Sequence, residues 1–194
     1  MPHITRESLL SLEAYAKTRS DYRAKIIAHK KDRIVHLGDH VTLTFEDEAT
    51  MRYQVQEMLR AEKTFEEQGI QDEIDAYNPL VPDGTNLKAT LMIEYDDEAE
   101  RRHALARMLD IEDRVWISVA GHERVFAIAD EDLDRETDEK TSSVHFLRFE
   151  LSPEMISALK AGGALSIGVD HSEYQAAIAE LPERTRASLV ADLA

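Results

Sequence analysis

Few side chains in this sequence combine a reactive type with a telling position, and Glu62 is the first of them. On a helix spanning residues 47–68, Met51, Val55, Met58 and Phe65 recur along one stripe, and Glu62 falls in its middle. An isolated buried carboxylate is prohibitively costly, so this one must be paired, ligate a metal or be held neutral. Glutamates joined by histidines build carboxylate-bridged di-iron centres. The bland alternative is an internal ion pair with an arginine such as Arg148. The full di-iron signature, Glu-x-x-His on each of two helices, does not occur.

His145 is the second candidate. In a strand over Ser143–Leu151 it shares a face with Leu147, Phe149 and Leu151, while Arg148 shares the other with Val144, Phe146 and Glu150. His36 and His171 fall on apolar parity in their own strands, and His29 ends a helical stripe begun by Tyr22 and Ile26. Each reads either as a hydrogen-bonded core residue or as a ligand. A metal site would draw on Glu62, His29 and His145, with iron or zinc as the ion, although nothing in the sequence demands a cofactor. Convergence of these three would favour a metal or haem centre, and dispersal would favour an accessory protein.

The other motifs are weaker. No glycine-rich phosphate loop, HExxH or GxSxG is present. Asp130, Asp132 and Asp134 imitate the opening of a calcium loop, but Arg135 stands where its turn glycine belongs and Thr141 where its bidentate glutamate belongs. That segment reads as a solvated acidic connector. The turn-rich loop Tyr77–Asn86, His122 in a turn, and Ser142 with Ser143 are surface candidates for binding. Lys30, Lys31 and Arg33 form a basic cluster suited to an anion or an acidic partner.

The elements that must position these residues follow from periodicity and caps. An N-terminal helical pair covers residues 1–32, the first helix capped by Thr5 or Ser8 and the second by Ser20. Arg33–Leu37 and Val41–Glu46 form a hairpin around a two-residue turn, Gly38-Asp39. The 47–68 helix is stopped by Gly69. Leu87–Tyr95 is a strand, Asp97–Leu109 a charged helix, and Arg114–Val119 with Arg124–Ala129 a second hairpin. After the acidic connector come a strand to Leu151 and a short helix opened by Ser152-Pro153 and closed by Gly162-Gly163. Leu165–Asp170 is again a strand, and residues 172–194 form a helical tail interrupted at Pro182. The class is α+β: a mainly antiparallel sheet of about seven strands, packed by one long helix and several shorter ones. With 194 residues and no break in composition, the chain is expected to form a single domain over 1–194.

Charge narrows the partners. The net charge is −16, which disfavours nucleic acid and an anionic membrane surface. It is unevenly spread, because residues 1–40 carry eight Lys/Arg against five Asp/Glu, while 41–141 carry eleven against 27. A basic head on an acidic body suits either internal neutralisation or an acidic partner. With no cysteine there is no disulfide, thiolate metal site or cysteine-held iron–sulfur cluster. No run of residues is long and apolar enough for a membrane span or a signal core, so the cytoplasm is the expected compartment.

Several phrases occur in order along the chain: AHKKDR (28–33), YQVQEMLRAEK (53–63), YNPLVPDGTNLKATLMIEY (77–95), SSVHFLRFEL (142–151) and VDHSEY (169–174). Over about Leu9 to Tyr174 they resemble a bacterial domain-of-unknown-function family. The resemblance implies genes lying beside a rubrerythrin and a heterodisulfide-reductase-like iron–sulfur protein, hence a role near peroxide defence or electron transfer. Two functions follow as expectations. One is a non-enzymatic accessory protein with a protein partner in a redox system, or with a second copy of itself. The other is a metal- or haem-binding protein, or a metal-dependent enzyme, using histidines with Glu62.

Overall fold

A computed structural model describes residues 3–129, 131 and 140–194. The connector carrying Asp130, Asp132 and Asp134 lies outside the described residues. After a short 3-10 turn, Arg6–Ser8, the chain enters α1, Leu12–Lys30, capped by the Ser11 side chain on the Ala14 amide. The expected helical pair is thus one helix. Ser20 does not cap a second one, since a serine inside a helix costs only about 0.5 kcal/mol and good helix formers surround it.

The first hairpin joins β1, Ile34–Leu37, to β2, Val41–Glu46. Leu37 pairs with Val41, so three residues make the turn and not the expected two. Gly38 takes φ +69°, and a Cβ there would sit 2.6 Å from the Tyr174 hydroxyl. That hydroxyl fills the turn, donating to the Leu37 carbonyl (2.6 Å) and accepting from the His40 amide (3.0 Å).

The expected 47–68 helix is divided. α2 runs Glu48–Glu62, opened by a capping box on Asp47. It ends where Lys63 turns left-handed (φ +56°), with the Lys63 and Thr64 amides both closing onto the Leu59 carbonyl. α3, Glu67–Tyr77, restarts with Glu66 and Glu67 at its positive end and takes Gly69 inside it. Among the described residues the longest helix is therefore α1.

The strands are antiparallel and the class is α+β, but the strands part into two sheets. With β3 (Asn86–Ile93), β6 (Ile128–Ala129) and β7 (Val144–Glu150), the first has the order β1-β2-β3-β7-β6. With β4 (Val115–Val119), β5 (Arg124–Phe126), β8 (Leu165–His171) and β9 (Tyr174–Ile178), the second has the order β5-β4-β8-β9. β5 and β6 are consecutive yet belong to different sheets, and buried Ala127 is the step between them. Both sheets bury their inner faces in one core. Leu43, Phe45 and Leu91 meet Ile117 and Ile167 there, with Leu105 of α4 (Glu98–Arg107), Leu159 of α5 (Pro153–Lys160) and Leu189 of α6 (Glu183–Val190) packed around them. A second, smaller core unites Met51, Val55 and Leu59 of α2 with Ile70 and Ile74 of α3.

The expected tail 172–194 is a strand followed by α6. Residues 174–178 are alanine-rich and favour a helix locally, but β8 offers a free edge, and five residue pairs from Ile167↔Ile178 to His171↔Tyr174 override that preference. Among the described residues no helix is long and apolar enough to cross a membrane.

Candidate functional site

The three metal candidates occupy three separate places. Glu62 is exposed, because α2 stops there and the stripe it was to centre does not continue; Phe65, beyond the stop, is 76% exposed. The face α2 buries is Thr50, Met51, Val55, Gln56 and Leu59. His29 sits at the other end of the same helix, its Nε2 2.5 Å from the carboxylate of Asp47, the N-cap. Fifteen helical residues separate Asp47 from Glu62, about 22 Å of axis, so His29 and Glu62 cannot share an ion. Among the described residues no group of three His, Cys, Asp or Glu could hold a metal.

His145 is fully buried on β7. Its Nε2 lies 3.0 Å from the Ser142 carbonyl and 2.9 Å from Thr141 Oγ1, and its Nδ1 lies 3.6 Å from Glu112 Oε1. The Thr141 hydroxyl in turn donates to Glu112 Oε2 at 3.3 Å. A hydroxyl, an imidazole and a carboxylate in sequence are the parts of an acyl-transfer triad. With Thr141 and His145 sealed from solvent, no substrate carbonyl reaches them, and the cluster instead fastens β7 to the 3-10 turn Glu112–Arg114. His171 is a satisfied core histidine: Nδ1 accepts from the Glu173 amide and Nε2 donates to the Leu109 carbonyl (2.8 Å). His36 departs from its expected parity. It is exposed, while Val35 and Leu37 point inward.

Arg33 is not on a binding surface. It is 1% exposed, and Lys31 beside it is exposed while Lys30 is half-buried. Its guanidinium donates to the carbonyls of Phe45 (2.9 Å), Glu46 (3.1 Å) and Ser188 (3.1 Å), pairs with Asp192, and lies 3.5 Å from Asp47. One side chain therefore ties β2, α6 and the start of α2 together. The two carboxylates respond oppositely. Burial acts to raise Asp47, but Arg33, the Thr50 amide and His29 outweigh it and hold that carboxyl below the usual range. Burial prevails at Asp192 and pushes it up in spite of Arg33. This is an ion network that joins three elements: Arg33 itself is sealed, while its partners Asp47 and Asp192 line a cavity of about 450 Å³.

Arg148 projects from the other face of the first sheet. It grips Glu131 with both ends of its fork (2.7 Å each) and also pairs with Glu150; Glu62 is not its partner. Beside it opens a cavity of about 230 Å³ walled by Pro79, Leu80, Ile128 and Phe146 and by Lys88 of β3. The Lys88 ammonium donates to the Pro79 carbonyl. Lys88 is a residue that sequence reasoning missed. The signal was the alternation of β3, which buries Leu87, Ala89 and Leu91 and turns Lys88 to the side of Arg148, its cross-strand partner.

A groove of about 550 Å³ runs along α1. Ala16, Ser20 and Ala24 form its floor, Arg19, Arg23 and Ile27 its sides, and Arg60 of α2 closes it. Of the 19 residues of α1 only Tyr15 and Ile26 are buried. Tyr15 and Arg19 both bond Glu57, which Arg19 holds down to about 2 against the effect of burial. Arg23 and Arg60 are exposed and make no ion pair among the described residues, and Ile27 is 50% exposed.

The profile of the family described as "Protein of unknown function (DUF3501)" matches residues 3–193, and the chain belongs to that family. A solved structure described as a novel protein of unknown function from Burkholderia pseudomallei K96243 is similar to it over its whole length. The two share 59% identity, all of each chain is covered, and the TM-score is 0.94. Among curated proteins none matches.

Proposed function

We propose that this DUF3501 protein is a cytoplasmic, non-enzymatic interaction protein that docks an acidic helix of a protein partner in the groove along α1. The observation that carries this reading is the polarity of α1 itself. A helix with two buried residues in nineteen contributes little to its own core, and its small residues let a second helix approach closely. Arg23 and Arg60, unpaired among the described residues, supply complementary charge at either side, and Ile27 an apolar contact. Lys30 and Lys31 extend the basic surface past the end of the helix. The metal-centre reading has no comparable support, since its candidate ligands lie apart.

The family resemblance points to the partner: a rubrerythrin-linked redox or peroxide-defence system, in which a chain without cysteine contributes docking or delivery. Titration against the rubrerythrin and the iron–sulfur protein of the same genome tests this. One of them should bind with an affinity that falls as salt rises, and the Arg23→Glu/Arg60→Glu double substitution should abolish binding. No binding to either, or binding indifferent to that charge reversal, contradicts the proposal.

A further inference from the structure

We propose that Lys88 is a nucleophilic amine that condenses reversibly with small aliphatic aldehydes entering the cavity beside Arg148. This inference is independent of the docking surface on α1. Three observations meet here. Lys88 lines a cavity whose apolar walls are Pro79, Leu80, Ile128 and Phe146 and whose polar side is the Arg148–Glu131 pair, and burial there partly desolvates the amine. Its hydrogen-bond partner is a neutral carbonyl, that of Pro79, and among the described residues no carboxylate lies within ion-pair distance of it. Of its two cross-strand neighbours one is a guanidinium, Arg148, and the other, Glu46, makes no ion pair with it.

Desolvation and an adjacent cation are the two devices that leave a lysine amine neutral and reactive near neutral pH. The charges around Lys88 come from every side. Asp83, Glu131 and Glu150 favour its ammonium, and Arg148 and burial oppose it. Glu46, opposite on β2, is buried and takes a hydrogen bond from Thr90. Burial is the strongest influence, and the amine is held below the ordinary lysine range.

The volume sets the ligand class. About 230 Å³, apolar on the side of Pro79, Leu80, Ile128 and Phe146, suits a chain of a few carbons. In the condensation the amine nitrogen bonds to the aldehyde carbon. The C=O bond gives way to C=N, and the oxygen leaves as water with the two amine hydrogens. No oxidant or reductant is consumed, and water reverses the step.

The test is reductive trapping of the intact protein with butanal and cyanoborohydride, read by peptide mass spectrometry across a pH series. Near pH 7.5 Lys88 should be alkylated about tenfold faster than exposed Lys25 and Lys63, and its rate should level off at lower pH than theirs. Alkylation of Lys88 no faster than those two overturns the proposal. So does faster alkylation with the same pH profile, because that would reflect access alone.

Discussion

Arg33 and Arg148 each hold two carboxylates, yet they do opposite things. Arg33 is closed on every side by three backbone carbonyls and by aspartates from two helices' ends, and it exists to join α2, α6 and the first hairpin. Arg148 is 24% exposed, its main partner Glu131 is 53% exposed, and a cavity opens beside it. Cavities border both ion networks, but only the Arg148 guanidinium lines one; Arg33 itself is sealed behind its carboxylates. Residue type alone does not separate the two.

That contrast can be broken by substitution. Arg33→Leu leaves Asp192 and Asp47 buried without their cation, and should lower unfolding free energy by about 3–5 kcal/mol in a denaturant titration. Asp47→Asn and Asp192→Asn should then differ in a predictable order. Asp47 has its folded pKa depressed, so its charge contributes stability above the unfolded value that is lost as pH falls through the folded one. Asp192 has its folded pKa raised, so its contribution is full below the unfolded value and is lost as pH rises through the folded one. At neutral pH Asp47→Asn should therefore cost more than Asp192→Asn, and a reversed order would show that the two carboxylates are misassigned. Arg148→Gln should cost no more than about 1 kcal/mol, since the pair is partly exposed and screened. Glu62→Gln should leave the denaturant midpoint unchanged, as expected of an exposed residue at a helix end.

The sequence was most readable where pattern and neighbours agree. The strands at 34–46, 86–93, 144–150 and 165–171 and the Ser152-Pro153 helix start follow from alternation and capping alone. Glu62 misled because a wheel assumes that the helix continues. The left-handed Lys63, a lysine where a glycine is usual, gives no compositional warning. Arg33 misled because it closes a run of basic residues, and its role depends on Asp192, 159 positions away. β9 depended on an edge that only the folded sheet provides. Strand parity places Arg148 and His145 on opposite faces of β7, as the structure does, but their partners, Glu131 and Glu112, come from other segments and were not readable.

The most direct test of the docking account is hydrogen–deuterium exchange on the protein with and without the bound redox partner. Docking on α1 predicts slowed exchange over 12–30 and around Arg60, and no change at the Arg33 network or along β7. Protection centred on the cavity beside Arg148, with α1 unchanged, would contradict the account.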